Sequence, residues 1–217
     1  MASPAQRETL TIEGPAGDLE ALIERPNTDR SALPVAVVCH PHPAHGGAMT
    51  NKVTHTLARA FVLTGHIAVR FNFRGVGKSQ GAYDEGIGEL QDTLAVIDWA
   101  RAEFGVASLS LGGFSFGAAM AVQASNARTL AQLVLVAPPV GRILSPAARV
   151  PDGLPALVVQ GEQDDIVDPD AVVDWVNAQA SGIRLVWMQP AGHFFHGHLP
   201  DLRQHLVGEL SADEASA

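Results

Sequence analysis

Hydrophobic positions in this chain come as short unbroken runs separated by longer stripes of helical spacing. Residues 34–39, Pro-Val-Ala-Val-Val-Cys, form a continuous β-rich run of the kind buried on both faces of a sheet. Residues 51–63 then carry Val53, Leu57, Ala60 and Phe61 on one stripe, with Gly65 just past the end, and predict an amphipathic helix. The alternation continues as strand 66–73, helix 89–101, strand 107–111, helix 118–124, strands 130–137 and 154–160, helix 170–180, strand 183–188 and a closing helix 200–210. That is the βαβ rhythm of a mostly parallel sheet flanked by helices on both faces. Ahead of it, runs at 8–12 and 19–24 flank Gly14-Pro15-Ala16-Gly17-Asp18 and predict an antiparallel opening hairpin. The proline-rich connection 138–155 is too short for a separate lid domain.

Composition narrows the function. At 217 residues, 47% hydrophobic and 17% charged, residues 1–217 are expected to form a single domain, with flexible ends at about 1–6 and 211–217. A net charge of −9 and no basic cluster argue against nucleic acid or an anionic membrane as partner, and for a small molecule. Exposed apolar edges leave a homodimer open. The single cysteine, Cys39, cannot form an internal disulfide, and the first residues lack an apolar run, so a cytoplasmic location is expected.

The chemistry gathers around Gly113-Phe114-Ser115-Phe116-Gly117, which lies between an apolar run and a small-residue helix. A serine at the tip of a strand–turn–helix corner occupies strained φ/ψ and needs small neighbours two positions away on either side. Gly113 and Gly117 meet that need. The turn lifts the Ser115 hydroxyl clear of the sheet and aims the Phe116 backbone N–H, at a helix start, into the same space. In an open parallel sheet, partners come from loops at the strands' carboxyl ends. Two loops qualify: residues 161–167 contain Asp164 and Asp165, and residues 192–198 contain His193, His196 and His198. Serine, acid, histidine is a workable order, because a serine hydroxyl needs an imidazole to accept its proton and the imidazole needs a carboxylate to set its tautomer.

The G-x-S-x-G corner in this context resembles the nucleophile elbow of the α/β-hydrolase superfamily. Further likeness lies in His40-Pro-His-Pro with Gly46-Gly47, in Asn51-Lys52-Val53, in residues 70–77 (Arg-Phe-Asn-Phe-Arg-Gly-Val-Gly) and in His193-Phe-Phe-His-Gly. Together they are similar to a small lidless bacterial branch close to dienelactone hydrolases and short carboxylesterases, over about residues 35–206. The resemblance implies the α/β-hydrolase fold, a serine hydrolase acting on small esters, thioesters or lactones, and no cofactor or metal. Its G-x-x-D-x-x-V loop implies Asp164 as the acid, with Asp165 the fallback. It implies His193 as the base and His42 as the second oxyanion donor through its backbone N–H, beside Phe116. Dienelactone hydrolases carry cysteine where this chain has Ser115, which sets their substrate apart.

Other readings carry less. The histidines at 40, 42 and 45 and at 193, 196 and 198 could suggest a metal, yet no H-E-x-x-H or comparable ligand spacing is present. Cys39, at the end of a buried strand, reads as an inert core thiol rather than a nucleophile. Residues 74–79 lack both phosphate-loop spacings and read as a turn in which Arg74 ties loops together. Trp99, Trp175 and Trp187 read as core. A peptidase or amidase of the same fold is the alternative enzyme; a silent binding module is the alternative class.

Overall fold

The computed structural model describes residues 6–28, 32–180 and 182–214. Its centre is an eight-stranded sheet in the order β1-β2-β4-β3-β5-β6-β7-β8. The strands are β1 (Gln6–Gly14), β2 (Gly17–Arg25), β3 (Val35–Cys39), β4 (Ile67–Phe71), β5 (Ser110–Phe114), β6 (Gln132–Val136), β7 (Ala156–Gly161) and β8 (Ile183–Met188). The predicted hairpin forms, with Gly14 opposite Gly17, and β2 runs antiparallel to β4; every later pairing is parallel. Strands β3 to β7 are buried throughout, which is why they read as unbroken apolar runs.

Helices α1 (Lys52–Leu63) and α5 (Leu199–Glu214) cover one face; α2 (Ile87–Phe104), α3 (Phe116–Ser125) and α4 (Pro169–Asn177) cover the other. Two apolar clusters result. One packs Leu57 and Phe61 of α1 with Leu202 and Leu206 of α5, and the other packs Ile97, Met120 and Trp175. Sequence signals start α1 and α4: the Asn51 side chain accepts the N–H groups of Val53 and Thr54, and Asp168 accepts that of Asp170.

Several expectations shift. The elbow strand is Ser110–Phe114, three residues later than the apolar run predicted, because Gly112 and Gly113 belong to the strand. Glycine reads as a turn by propensity, but a Cβ on Gly112 would come within 3.0 Å of Leu57, so the strand is glycine to let α1 lie close. Gln6 already belongs to β1, and α5 runs on to Glu214; residues 1–5 and 215–217 of the expected flexible ends lie outside the described residues. Trp175 is core and Trp99 packs against it, but Trp187 lies half-buried on edge strand β8, outside both clusters. The connection 138–155 contains no helix, and among the described residues no helix is long and apolar enough to cross a membrane.

A buried ion pair locks the hairpin to the parallel sheet. Glu24, wholly buried on β2, accepts from Arg70 on β4 at 2.8 Å and from Arg7 on β1 at 2.8 Å. Removing one partner of a buried pair strands the other charge in a low-dielectric site. Glu24→Gln is therefore expected to lower unfolding free energy by about 3–5 kcal/mol, read from urea denaturation. A loss below about 1 kcal/mol would mean that water reaches Arg70.

Candidate active site

Three residues distant in sequence meet at the carboxyl ends of the parallel strands. His193 Nε2 lies 3.0 Å from Ser115 Oγ, and His193 Nδ1 lies 2.8 Å from Asp164 Oδ2. Ser115 is the corner between β5 and α3, with φ 53° and ψ −119°, a conformation costly for any residue with a Cβ. Close backbone approach holds it there: a Cβ on Gly113 would fall 2.2 Å from the Gly117 carbonyl, and one on Gly117 would fall 2.4 Å from the Cys39 carbonyl at the end of β3.

Asp164 follows β7, and both its oxygens are engaged. Oδ1 accepts the N–H groups of Ile166 and Val167, at 2.9 and 2.7 Å; Oδ2 accepts from Gln160 Nε2 at 3.0 Å as well as from His193. Burial pushes its carboxyl pKa up, but these hydrogen bonds outweigh burial and hold it below the ordinary carboxylate value. Asp165, one residue on, is exposed and makes no hydrogen bond or ion pair to an imidazole among the described residues. His193 is buried between Phe114 and Phe194, each ring 5.1 Å away. Since Nδ1 faces a carboxylate, it carries the hydrogen, which leaves Nε2 as the acceptor facing the serine. His196 stacks on Phe194 and His198 pairs with Asp201, so neither joins Ser115.

The loop after β3 is tied at every turn. His40 is buried, with Nε2 accepting the Phe73 N–H at 3.0 Å and Nδ1–H donating to the Pro41 carbonyl at 2.6 Å. Burial brings its pKa down to about 4, so this ring is neutral. Because the Pro41–His42 peptide is trans, a carbonyl held toward His40 points the His42 N–H the opposite way. The His42 carbonyl accepts from His45 and Gly47, its Nδ1 accepts from Ala44, and its ring stacks 5.0 Å from Phe116 and 5.1 Å from Tyr83. Neither the His42 nor the Phe116 N–H has a hydrogen-bond acceptor among the described residues. Residues 70–73 supply the outer ties: Arg70 donates to the Met49 carbonyl, and Asn72 accepts the Met49 N–H.

These groups border a cleft of about 650 Å³, walled on its apolar side by Pro139, Ile143, Ile166, Val167 and Phe194. Chemically, the arrangement offers an oxygen nucleophile, a base of fixed tautomer and two unengaged amide donors.

Comparison with known proteins agrees with this fold. The model of a family described as X-Pro dipeptidyl-peptidase (S15 family) matches residues 16–143, more than half of the chain. The chain belongs to this family of α/β hydrolases. An alpha-beta serine hydrolase homologue from Coxiella burnetii is similar at 43% identity, with 97% of this chain and 98% of that one covered and a TM-score of 0.87. A serine hydrolase without lid from Xanthomonas campestris is similar at 42% identity over 95% and 94% of the two chains, with a TM-score of 0.86. An uncharacterized protein of Rickettsia prowazekii is 37% identical over 195 residues, 86% of this chain and 81% of its own. The protein is thus a lidless α/β serine hydrolase. The family match spans the loop after β3 and the Ser115 corner and ends before Asp164 and His193.

Several supports of this hydrolase's site were not read from sequence. Gln160 reads from sequence as one more strand residue, and Tyr83, whose ring lies 5.1 Å from His42, carries no sequence signal of a role. Arg74 does tie loops, but through a buried partner on α2: Asp92 accepts its Nη2 at 2.7 Å, its Nε at 3.0 Å and its backbone N–H at 3.0 Å. Cys39 is fully buried, and burial pushes its thiol up to about 12, so it is inert. Among the described residues, no group of three or more His, Cys, Asp or Glu side chains converges as a metal site.

Two buried imidazoles make stability acid-sensitive. His40 and His66 are each brought down to about 4 by burial, against 6.5 ordinarily. Between these values the unfolded chain binds the protons and the folded chain does not, so this stability is complete above about pH 6.5 and is lost as pH falls toward 4. Unfolding free energy from urea denaturation measured from pH 7 to 4 should fall below pH 6.5, at about 1.4 kcal/mol per pH unit for each ring, and His66→Gln should remove one ring's share. A flat profile would contradict the buried, neutral state. Gly47→Ala tests the loop: its Cβ would lie 2.0 Å from the Pro41 carbonyl and force the His42 amide to move. Turnover is expected to drop by about 10²-fold or more with the fold retained by circular dichroism. Unchanged turnover would mean that the loop position is immaterial.

Proposed function

We propose that the protein is a carboxylesterase-like hydrolase of small esters, thioesters or lactones, working as one domain through Ser115, His193 and Asp164. The observation that carries this reading is the continuous line of hydrogen bonds from Asp164 through the His193 ring to the Ser115 hydroxyl. Ser115 Oγ attacks the substrate carbonyl carbon while its proton passes to His193 Nε2. The carbonyl oxygen becomes an oxyanion and takes hydrogen bonds from the N–H groups of His42 and Phe116, each contributing on the order of 10²–10³ in rate. Collapse expels the alkoxide or thiolate, which takes the proton from His193, and leaves acyl-Ser115. A water then gives a proton to His193 and attacks the acyl carbon; release of the acid returns that proton to Ser115. Asp164 keeps Nε2 facing the serine and stabilises the imidazolium.

The family match favours a second reading, an amidase or X-Pro dipeptidyl-peptidase. A dipeptidyl-peptidase must register a free substrate ammonium, for which a carboxylate in the cleft is the natural partner. Among the described residues lining this cleft there is no Asp or Glu, and Arg142 stands there instead. That charge favours the ester reading.

A fluorophosphonate should label wild type at Ser115; no labelling would favour a silent binding module. Ser115→Ala should abolish turnover of an activated ester without changing the melting temperature. Asp164→Asn should cost on the order of 10³–10⁴-fold in kcat, and Asp165→Asn less than about 10-fold. The reverse ranking would reassign the acid.

A further inference from the structure

We propose that the cleft selects substrates carrying a second, negatively charged group, a carboxylate recognised by Arg142. The inference rests on the ester-hydrolase reading and deepens it.

The cleft inverts the charge of the chain around it. The protein has 23 acidic and 14 basic side chains, yet the cleft lining has no carboxylate and combines Arg142 with His42, His45 and His193. Arg142 has no carboxylate within 4.0 Å among the described residues, whereas Arg70, Arg74 and Arg128 each hold one at 2.8 Å or less. It also borders a neighbouring groove containing Asp164, Asp165 and Asp168 but is within ion-pair distance of none of them. An unpaired guanidinium keeps both arms of its planar fork for a ligand carboxylate.

The turn presenting it is rigid. The Pro139 carbonyl accepts the N–H groups of Arg142, Ile143 and Leu144, and the Gly141 N–H donates to the Leu144 carbonyl. Next to Arg142, Ile143 is 38% exposed, and Ile166 and Phe194 in the same cleft are 41% and 44% exposed. Half of the exposed large apolar side chains among the described residues thus collect beside one unpaired cation. An additional donor borders the same cleft: Asn51 commits its Oδ1 to the N–H groups of α1 and keeps its amide NH₂. An apolar wall ending in donors suits a short carbon chain that terminates in a carboxylate.

The test uses matched esters on the intact chain. On the acyl side, 4-nitrophenyl valerate is compared with the 4-nitrophenyl monoester of glutarate; on the alcohol side, 4-carbamoylphenyl butyrate is compared with 4-carboxyphenyl butyrate. Wild type should cleave the anionic member of at least one pair with about 10-fold higher kcat/KM at low salt, and the preference should shrink in 0.5 M NaCl, roughly within the range where exposed charges are screened. Arg142→Gln should erase the preference through KM while changing the neutral ester less than about two-fold, and Arg142→Lys should restore part of it. Equal cleavage within both pairs, or an equal loss on neutral and anionic esters in Arg142→Gln, would overturn the inference and leave the ester reading intact. No cleavage of any ester by a protein that still labels at Ser115 would overturn both.

Discussion

Everything at this site depends on one backbone constraint, the sharp corner at Ser115. A serine held at φ 53°, ψ −119° stores on the order of 1–3 kcal/mol, and such strain persists only where the surroundings over-determine it. Here they do. The Ser115 N–H donates to the Val136 carbonyl on the adjacent strand, its own carbonyl accepts from Ala118 and Ala119, and Gly117 lies against the end of β3. The same contacts that impose the strain also set the distance between the hydroxyl and the loops around it. Sheet register therefore becomes active-site geometry.

A layer of buried polar groups carries that precision outward. His40, Arg70 and Asn72 hold the loop after β3, Asp92 holds the loop after β4 through Arg74, and Gln160 shares the Asp164 carboxylate with His193. None of these groups needs to touch a substrate. Each is a buried donor or acceptor whose loss would leave its partner unsatisfied, which ties the loops to the sheet. The cleft wall has the opposite character: Ile143, Ile166 and Phe194 are apolar and partly exposed, with no polar side-chain atom to tie them in place.

How much of this was legible follows from range. Local patterns sufficed for the hairpin and the buried strands, since each is written in adjacent residues. The elbow strand was placed three residues early because glycine's local meaning is a turn, whereas here it answers a close approach by a helix from elsewhere in the chain. Trp187 looked like core because it is large and apolar in a strand, but the strand lies at the sheet edge.

The amino-acid order by itself determined the element sequence, the glycine-flanked corner and the serine–acid–histidine succession, because strand period, helix period and turn chemistry are properties of neighbours. Only the tertiary structure decided which aspartate faces the imidazole, which way the His42 amide points and that Arg142 stands in the cleft without a carboxylate beside it. Those are matters of direction and separation between segments far apart in the chain. They are fixed when the sheet assembles, and no local pattern encodes them.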